Sequence, residues 1–164
     1  PYDNVVIRDN HAFIPTGYGI RVLNVADPSS ITEITHIPSA GIAQNLEVSG
    51  DYLFVCDSRG GLIVYDISNI QNPMITDILN APGMIRSVCH EGNYLYASAG
   101  TDGLHVIDFS NPYSLELVRI VYTGGRAAEL VVNGDYLYIT IGMAGMSVYD
   151  ISIPDQPTDR KSVV

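Results

Sequence analysis

Aspartate recurs along this chain at a fixed interval. Asp66, Asp108 and Asp150 stand 42 residues apart, and Asn24 holds the position 42 residues before the first of them. Evenly spaced carboxylates are raw material for a cation site or for general acid–base chemistry. Their surroundings point elsewhere. Ser68, Ser110 and Ser152 each follow two residues after an Asp. An Asp in that place accepts backbone N–H bonds from the turn that comes next. A residue that does one job in every copy is scaffold, so these carboxylates are read as turn formers. Asp51, Asn93 and Asp135, spaced by the same interval at hairpin tips, take the same reading.

The other chemistry-bearing residues form no recognisable set. His11, His36, His90 and His105 show no His-x-x-x-His spacing and no cysteine in a ligand pattern. Surface or packing roles are expected for them; His105 stands where other copies have Arg21, Ile63 and Ser147. Cys56 and Cys89 lie in strand-like runs, as buried small hydrophobes do. No Gly-x-Ser-x-Gly elbow and no Walker loop is present. Gly100-Thr101-Asp102-Gly103 and Gly124-Gly125 are followed by no helix, and read as turns rather than phosphate cradles. No catalytic residue, metal ligand or cofactor is assigned. Calcium is the ion that clustered oxygen ligands would suit, but no Asp-x-Asp-x-Asp-Gly loop occurs.

Unlike residues at like positions are better candidates for function. Asn45, Ser87 and Glu129 share one place in the repeat, with Asn4 as the first-copy counterpart, and Gln44, Arg86 and Ala128 precede them. Asn45, Arg86, Ser87 and Glu129 form a candidate ligand-binding set at the start of a strand; the plainer alternative is a solvated polar lining. A second group occupies the polar loops Asp27-Pro28-Ser29-Ser30, Asn69-Ile70-Gln71-Asn72-Pro73, Asn111-Pro112-Tyr113-Ser114 and Pro154-Asp155-Gln156-Pro157. These recur on one end of every copy, and Asn69, Asn72 and Tyr113 are the candidate interaction residues there.

The elements that position these residues follow from the repeat, the first feature to seek in such a chain. Gly50-Asp51-Tyr52-Leu53-Phe54 returns as Gly92-Asn93-Tyr94-Leu95-Tyr96 and Gly134-Asp135-Tyr136-Leu137-Tyr138. Gly61-Leu62-Ile63-Val64-Tyr65-Asp66-Ile67-Ser68 returns from Gly103 and from Gly145, with a fainter copy from Gly19. Read through the second copy, Leu46-Glu47-Val48 is a short strand ending at a turn. Tyr52 to Cys56 is apolar throughout, as in a strand covered on both faces. Leu62 to Ile67 is a third strand and Met74 to Leu79 a weaker fourth, with turn-rich segments between. Four short antiparallel strands per copy predict an all-β chain of four propeller blades of about 42 residues, at 1–41, 42–83, 84–125 and 126–164. No dozen residues show a 3.6 period free of Gly or Pro, so helices are excluded. In the first copy Arg8-Asp9-Asn10 replaces Gly-Asp-Tyr, one residue out of register.

Each blade is apolar on both faces and needs neighbours to cover it. On this reading, the candidate set Asn45, Arg86, Ser87 and Glu129 lines the central channel or its mouth. Val5-Val6-Ile7 reads as the innermost strand of the first blade and the stretch after Pro157 as the outermost of the fourth. No strand is left over to close a blade from the opposite end. The expectation is part of a larger ring, completed by further sequence or by a second chain, with a compact four-blade ring as the alternative. A start at Pro1 rather than Met fits a processed chain or a fragment.

Composition narrows the partners. The net charge is −10, with 18 acidic against 8 basic residues, which argues against a nucleic-acid backbone and against an anionic membrane surface. No apolar run approaches the roughly 20 residues of a membrane span. The chain is 46% hydrophobic and only 16% charged, with 11 Tyr, 3 Phe and no Trp, an all-β composition.

The strand Gly-Leu-x-Val-x-Asp-x-Ser after Gly-Asp-Tyr resembles the LVIVD repeat family. Leu62, Val64 and Asp66, Leu104, Val106 and Asp108, and Met146, Val148 and Asp150 carry the match; Asn24 departs from it. The resemblance implies a β-propeller, usually within a larger bacterial or archaeal protein, often secreted or surface-attached, with no common enzymatic activity. The expected function is a non-catalytic interaction or assembly module of a secreted or cell-surface protein, with protein partners or self-association. The alternative is a propeller enzyme, or a ligand or cation binder, with its site at the channel mouth.

Overall fold

The computed structural model describes residues 4–163, by backbone alone for 161–163. Its regular structure is β throughout, apart from one 3-10 turn at Gly142–Ala144. Sheet one holds β1 (Val6–Arg8), β2 (His11–Thr16), β3 (Gly19–Asn24) and β4 (Thr32–Pro38). Sheet two holds β5 (Ala43–Ser49), β6 (Tyr52–Asp57), β7 (Gly61–Asp66) and β8 (Met74–Leu79). Sheet three holds β9 (Ser87–Glu91), β10 (Tyr94–Ser98), β11 (Leu104–Asp108) and β12 (Glu116–Val121). Sheet four holds β13 (Leu130–Asn133), β14 (Tyr136–Thr140), β15 (Met146–Asp150) and β16 (Thr158–Val163). Each sheet is an antiparallel meander of four consecutive strands, the four-stranded blade that the repeat predicts. In the second copy β8 has the expected limits, β6 gains Asp57, and the first strand reaches further in both directions than Leu46–Val48.

The first hairpin of each sheet needs a residue in the left-handed region. Gly50, Gly92 and Gly134 supply it at φ 55°, 55° and 58°. In the first sheet Asp9 takes this place at φ 52°, which locates the one-residue offset of that copy. The same hairpins are locked by one backbone bond each: Val25 N to Asn10 O, Ile67 N to Asp51 O, Phe109 N to Asn93 O and Ile151 N to Asp135 O, all 2.8–2.9 Å.

The pairing of third and fourth strands slips by one residue at an equivalent point in all four sheets. Val22 pairs with Thr35 but Leu23 with Glu33, so the register passes over Ile34. Thr76, Val118 and Arg160 are passed over in the same way. Such a bulge bends the outermost strand and increases its twist.

The chain divides after Asn80 into two compact units. In the first, Phe13, Ile20 and Val22 share a core with Leu46, Leu53, Val55 and Tyr65. Each such side chain contributes about 1.5–3 kcal/mol on burial. The Asn4 amide clamps the two sheets by donating to Leu46 O at 2.7 Å and accepting from Leu46 N at 3.2 Å. In the second unit, Tyr96, Leu104 and Val106 pack with Leu137, Ile139 and Tyr149. There the Tyr96 hydroxyl donates to Pro154 O at 3.0 Å, and Arg119 Nε donates to Asp155 O at 2.7 Å. No disulfide joins Cys56 and Cys89. Among the described residues no helix is long and apolar enough to cross a membrane.

Candidate functional site

The recurring aspartates hold turns, as their spacing suggests. The Oδ1 atoms of Asp66, Asp108 and Asp150 accept from the backbone N–H of Ser68, Ser110 and Ser152 at 2.8, 2.7 and 2.9 Å. Asn24 does the same for Ala26 at 2.9 Å. Asp150 also takes the Ser152 hydroxyl and two bonds from Arg160. The Ser152 hydroxyl, then Arg160, hold its carboxyl down at about 2.

The loops after the third strand repeat this economy one step on. Asn69 Oδ1 accepts from Gln71 N and Asn111 Oδ1 from Tyr113 N, both at 3.2 Å, and Asp27 Oδ1 accepts from Ser29 N at 2.9 Å. Asn69 is thus a turn former as well as an exposed residue. With Asn72 it lines a shallow cavity of about 130 Å³ beside Asp66 and Met74. The Tyr113 ring is 60% exposed.

The strand-start set divides. Asn45 is buried in β5, opposite Cys56. Ser87 is buried opposite Ser98, whose hydroxyl accepts the Ser87 N–H at 3.2 Å. Glu129 is exposed, and its backbone exchanges bonds with Thr140. Arg86 lines a cavity of about 390 Å³ whose walls also carry Arg126, Thr101 and Asp102. Sequence reasoning passed over Arg126. Its signal is a cation where the other copies have Ile42 and Met84.

Asp57 was also passed over. It is 2% exposed and lies at the end of β6. Burial pushes its carboxyl up, but donors from the Ser39 hydroxyl and the Arg59, Gly60 and Gly41 amides outweigh this and hold it below the usual range. The position 42 residues on is Ala99. His105 in β11 is fully buried, and among the described residues neither ring nitrogen has a hydrogen-bond partner. Burial pushes its pKa down, opposed by the charge of Asp102. Among the described residues no three His, Cys, Asp or Glu side chains converge as metal ligands do.

The LVIVD repeat model matches this chain three times in succession, at residues 40–80, 82–123 and 124–163. These are the three copies with complete landmarks. No curated protein sequence matches. Among solved structures, the computationally designed Ika8 protein superposes with a TM-score of 0.75 at 12% identity, over 97% of this chain and 48% of that one. The N-terminal domain of Nup159 does so with 0.68 at 12%, over 98% and 43%, and BamB from Moraxella catarrhalis with 0.69 at 11%, over 92% and 44%. The chain therefore spans about half the length of these three structures. At such identities the likeness is one of fold alone, and that fold is the β-propeller.

Proposed function

Because the chain belongs to the LVIVD repeat family, we propose that it is a non-catalytic β-propeller module for interaction and assembly, working in a secreted or cell-surface protein. One observation carries the reading: large apolar side chains stay in the open at the first two strands of the first and last sheets, whereas the exposed ones of the second and third sheets lie on the fourth strand or in loops. Val5 and Ile7 are 56% and 57% exposed, and Val131 and Tyr136 are 58% and 43% exposed. The chemistry of such faces is apolar contact, and a second sheet is their natural cover. The loops bearing Asn69, Asn72 and Tyr113 offer a polar surface with an aromatic anchor, suited to a protein partner. Native mass spectrometry tests the reading. The expected result is a species heavier than the 17.8 kDa chain, reduced to one chain by Ile7→Glu or Val131→Glu. A single-chain mass at high protein concentration, together with cross-links that avoid both the apolar faces and the Tyr113 loop, would refute it.

A second reading, ligand binding at the strand starts, is favoured by a separate observation. Arg86, the one member of the candidate set that is neither buried in a strand nor bound only through its backbone, lines a cavity of about 390 Å³ in the second unit.

A further inference from the structure

We propose that this cavity binds a small organic monocarboxylate, its carboxylate held by the guanidinium groups of Arg86 and Arg126 and its apolar body lying against Met84 and Ala99. The inference rests on the ligand-binding reading and is independent of assembly. At about 390 Å³ the cavity has the size of a small-molecule site.

Charge is the first argument. The chain has 8 basic residues against 18 acidic, yet two of the eight arginines and lysines line this one cavity. Arg8, Arg21 and Arg160 are paired with Asp51, Glu33 and Asp150. Among the described residues the guanidiniums of Arg86 and Arg126 have no such partner, and Arg86 is half-buried. A planar guanidinium fork matches a carboxylate with two parallel bonds, and two forks surround one.

Position is the second. The two arginines come from loops 40 residues apart in sequence, and the backbone pins each in place. Arg86 N donates to Ser98 O at 2.9 Å, and Ala127 N, beside Arg126, donates to Gly100 O at 2.9 Å. Gly100 and Ala127 also form an isolated bridge, which draws the Arg126 loop onto the β10–β11 loop.

The repeat supplies the third. In the preceding copy the protein's own carboxylate, Asp57, fills the equivalent loop and takes four donors. Here Ala99 replaces it and forms part of the wall of the cavity. Arg86 replaces Gln44 at the same time. Methyl and cation thus stand where the preceding copy has a carboxylate and a neutral amide, while the carboxylate that lies against the loop glycine comes from Asp102 at Gly83 instead of from Asp57 at Gly41. Asp102 sets the charge of the ligand. Its carboxylate lies against Gly83, where a Cβ would meet Oδ2 at 2.5 Å. Two arginines and one aspartate leave a single net positive charge, which suits a monoanion over a phosphate dianion.

The test is an NMR titration of the full chain at low salt with benzoate, inorganic phosphate and the neutral isostere benzamide. Benzoate should shift the Gly100 and Thr101 amides and the Arg86 and Arg126 Nε–H signals saturably, while the corresponding loop at Ser58–Arg59 stays still. Arg86→Gln and Arg126→Gln should each weaken benzoate by about tenfold or more, with spectra otherwise superimposable and the native mass unchanged. Asp102→Asn should narrow the gap between phosphate and benzoate. The proposal is overturned if benzoate fails to saturate below roughly 20 mM, if benzamide shifts the same signals equally, or if both arginine variants bind as the parent does. A parent chain that shows only the single-chain mass would count against the assembly reading and leave this one untouched.

Discussion

Replacing His105 by isoleucine should stabilise the protein and flatten its response to acid. The side chain is fully buried in β11, between Ala97 of β10 and Ile120 of β12, and its two ring nitrogens have no partner among the described residues. A buried donor or acceptor left unsatisfied costs about 1–3 kcal/mol. Isoleucine removes both and is the residue at the equivalent position 63, itself 3% exposed. At pH 7.5 the gain should be about 1–3 kcal/mol. Acid widens it. Burial holds the folded imidazole neutral, with its pKa pushed below the unfolded value, and Asp102 opposes this only in part. Below about pH 6.5 the unfolded chain therefore binds the extra proton and the folded chain does not. Stability is lost as the pH falls from there toward the folded pKa, by about 1.4 kcal/mol per pH unit at most. Urea unfolding at pH 7.5 and 5.5, followed by circular dichroism, measures both terms. Subtracting the His105→Ile curves from the parent's isolates this residue from His11, His36 and His90. Equal pH dependence in parent and variant, or a variant less stable at both pH values, would refute the reasoning.

Asp57→Ala should cost about 2–4 kcal/mol, since it leaves the Ser39 hydroxyl and three loop amides without their acceptor. The stability that Asp57 contributes is present above the ordinary carboxylate pKa and lost as the pH falls through its lowered folded value; urea midpoints for parent and variant should converge in acid. Two glycines with the same sign of φ should behave differently. Gly92→Ala meets nothing within 4 Å at φ 55° and should cost only the left-handed strain of about 1 kcal/mol. Gly103→Ala, at φ 88°, drives a Cβ to 2.3 Å from Val121 O and should cost several times as much, visible as a fall in Tm.

The blade was legible because its punctuation repeats. Gly50, Gly92 and Gly134 mark left-handed hairpin corners, and Asp66, Asp108 and Asp150 mark the turns that follow the third strand; both jobs are local, so sequence alone carries them. The offset of the first copy was legible for the same reason, and Asp9 takes the corner. The cavity was legible only in half. Arg86 stood out by differing from Gln44 and Ala128, but its meeting with Arg126 depends on two loops that touch through the Gly100–Ala127 bridge. Asp57 hid at the end of an apolar strand, where its donors come from two separate loops. For His105 the mixture of Arg21, Ile63 and Ser147 at its position suggested tolerance. Burial at such a position is set by what packs against the sheet, and no single copy encodes that.

The residue skipped in each outermost strand also bears on how such a chain can lengthen. An outer strand with an unbroken row of free amides and carbonyls is a template on which a neighbour's strand can dock and propagate into a fibril. With Ile34, Thr76, Val118 and Arg160 breaking that row once per sheet, lateral recruitment is penalised in every copy. Face-to-face stacking, the direction in which duplicated copies add, is left open. Gene duplication can then extend the series without creating a new aggregation seam at each step.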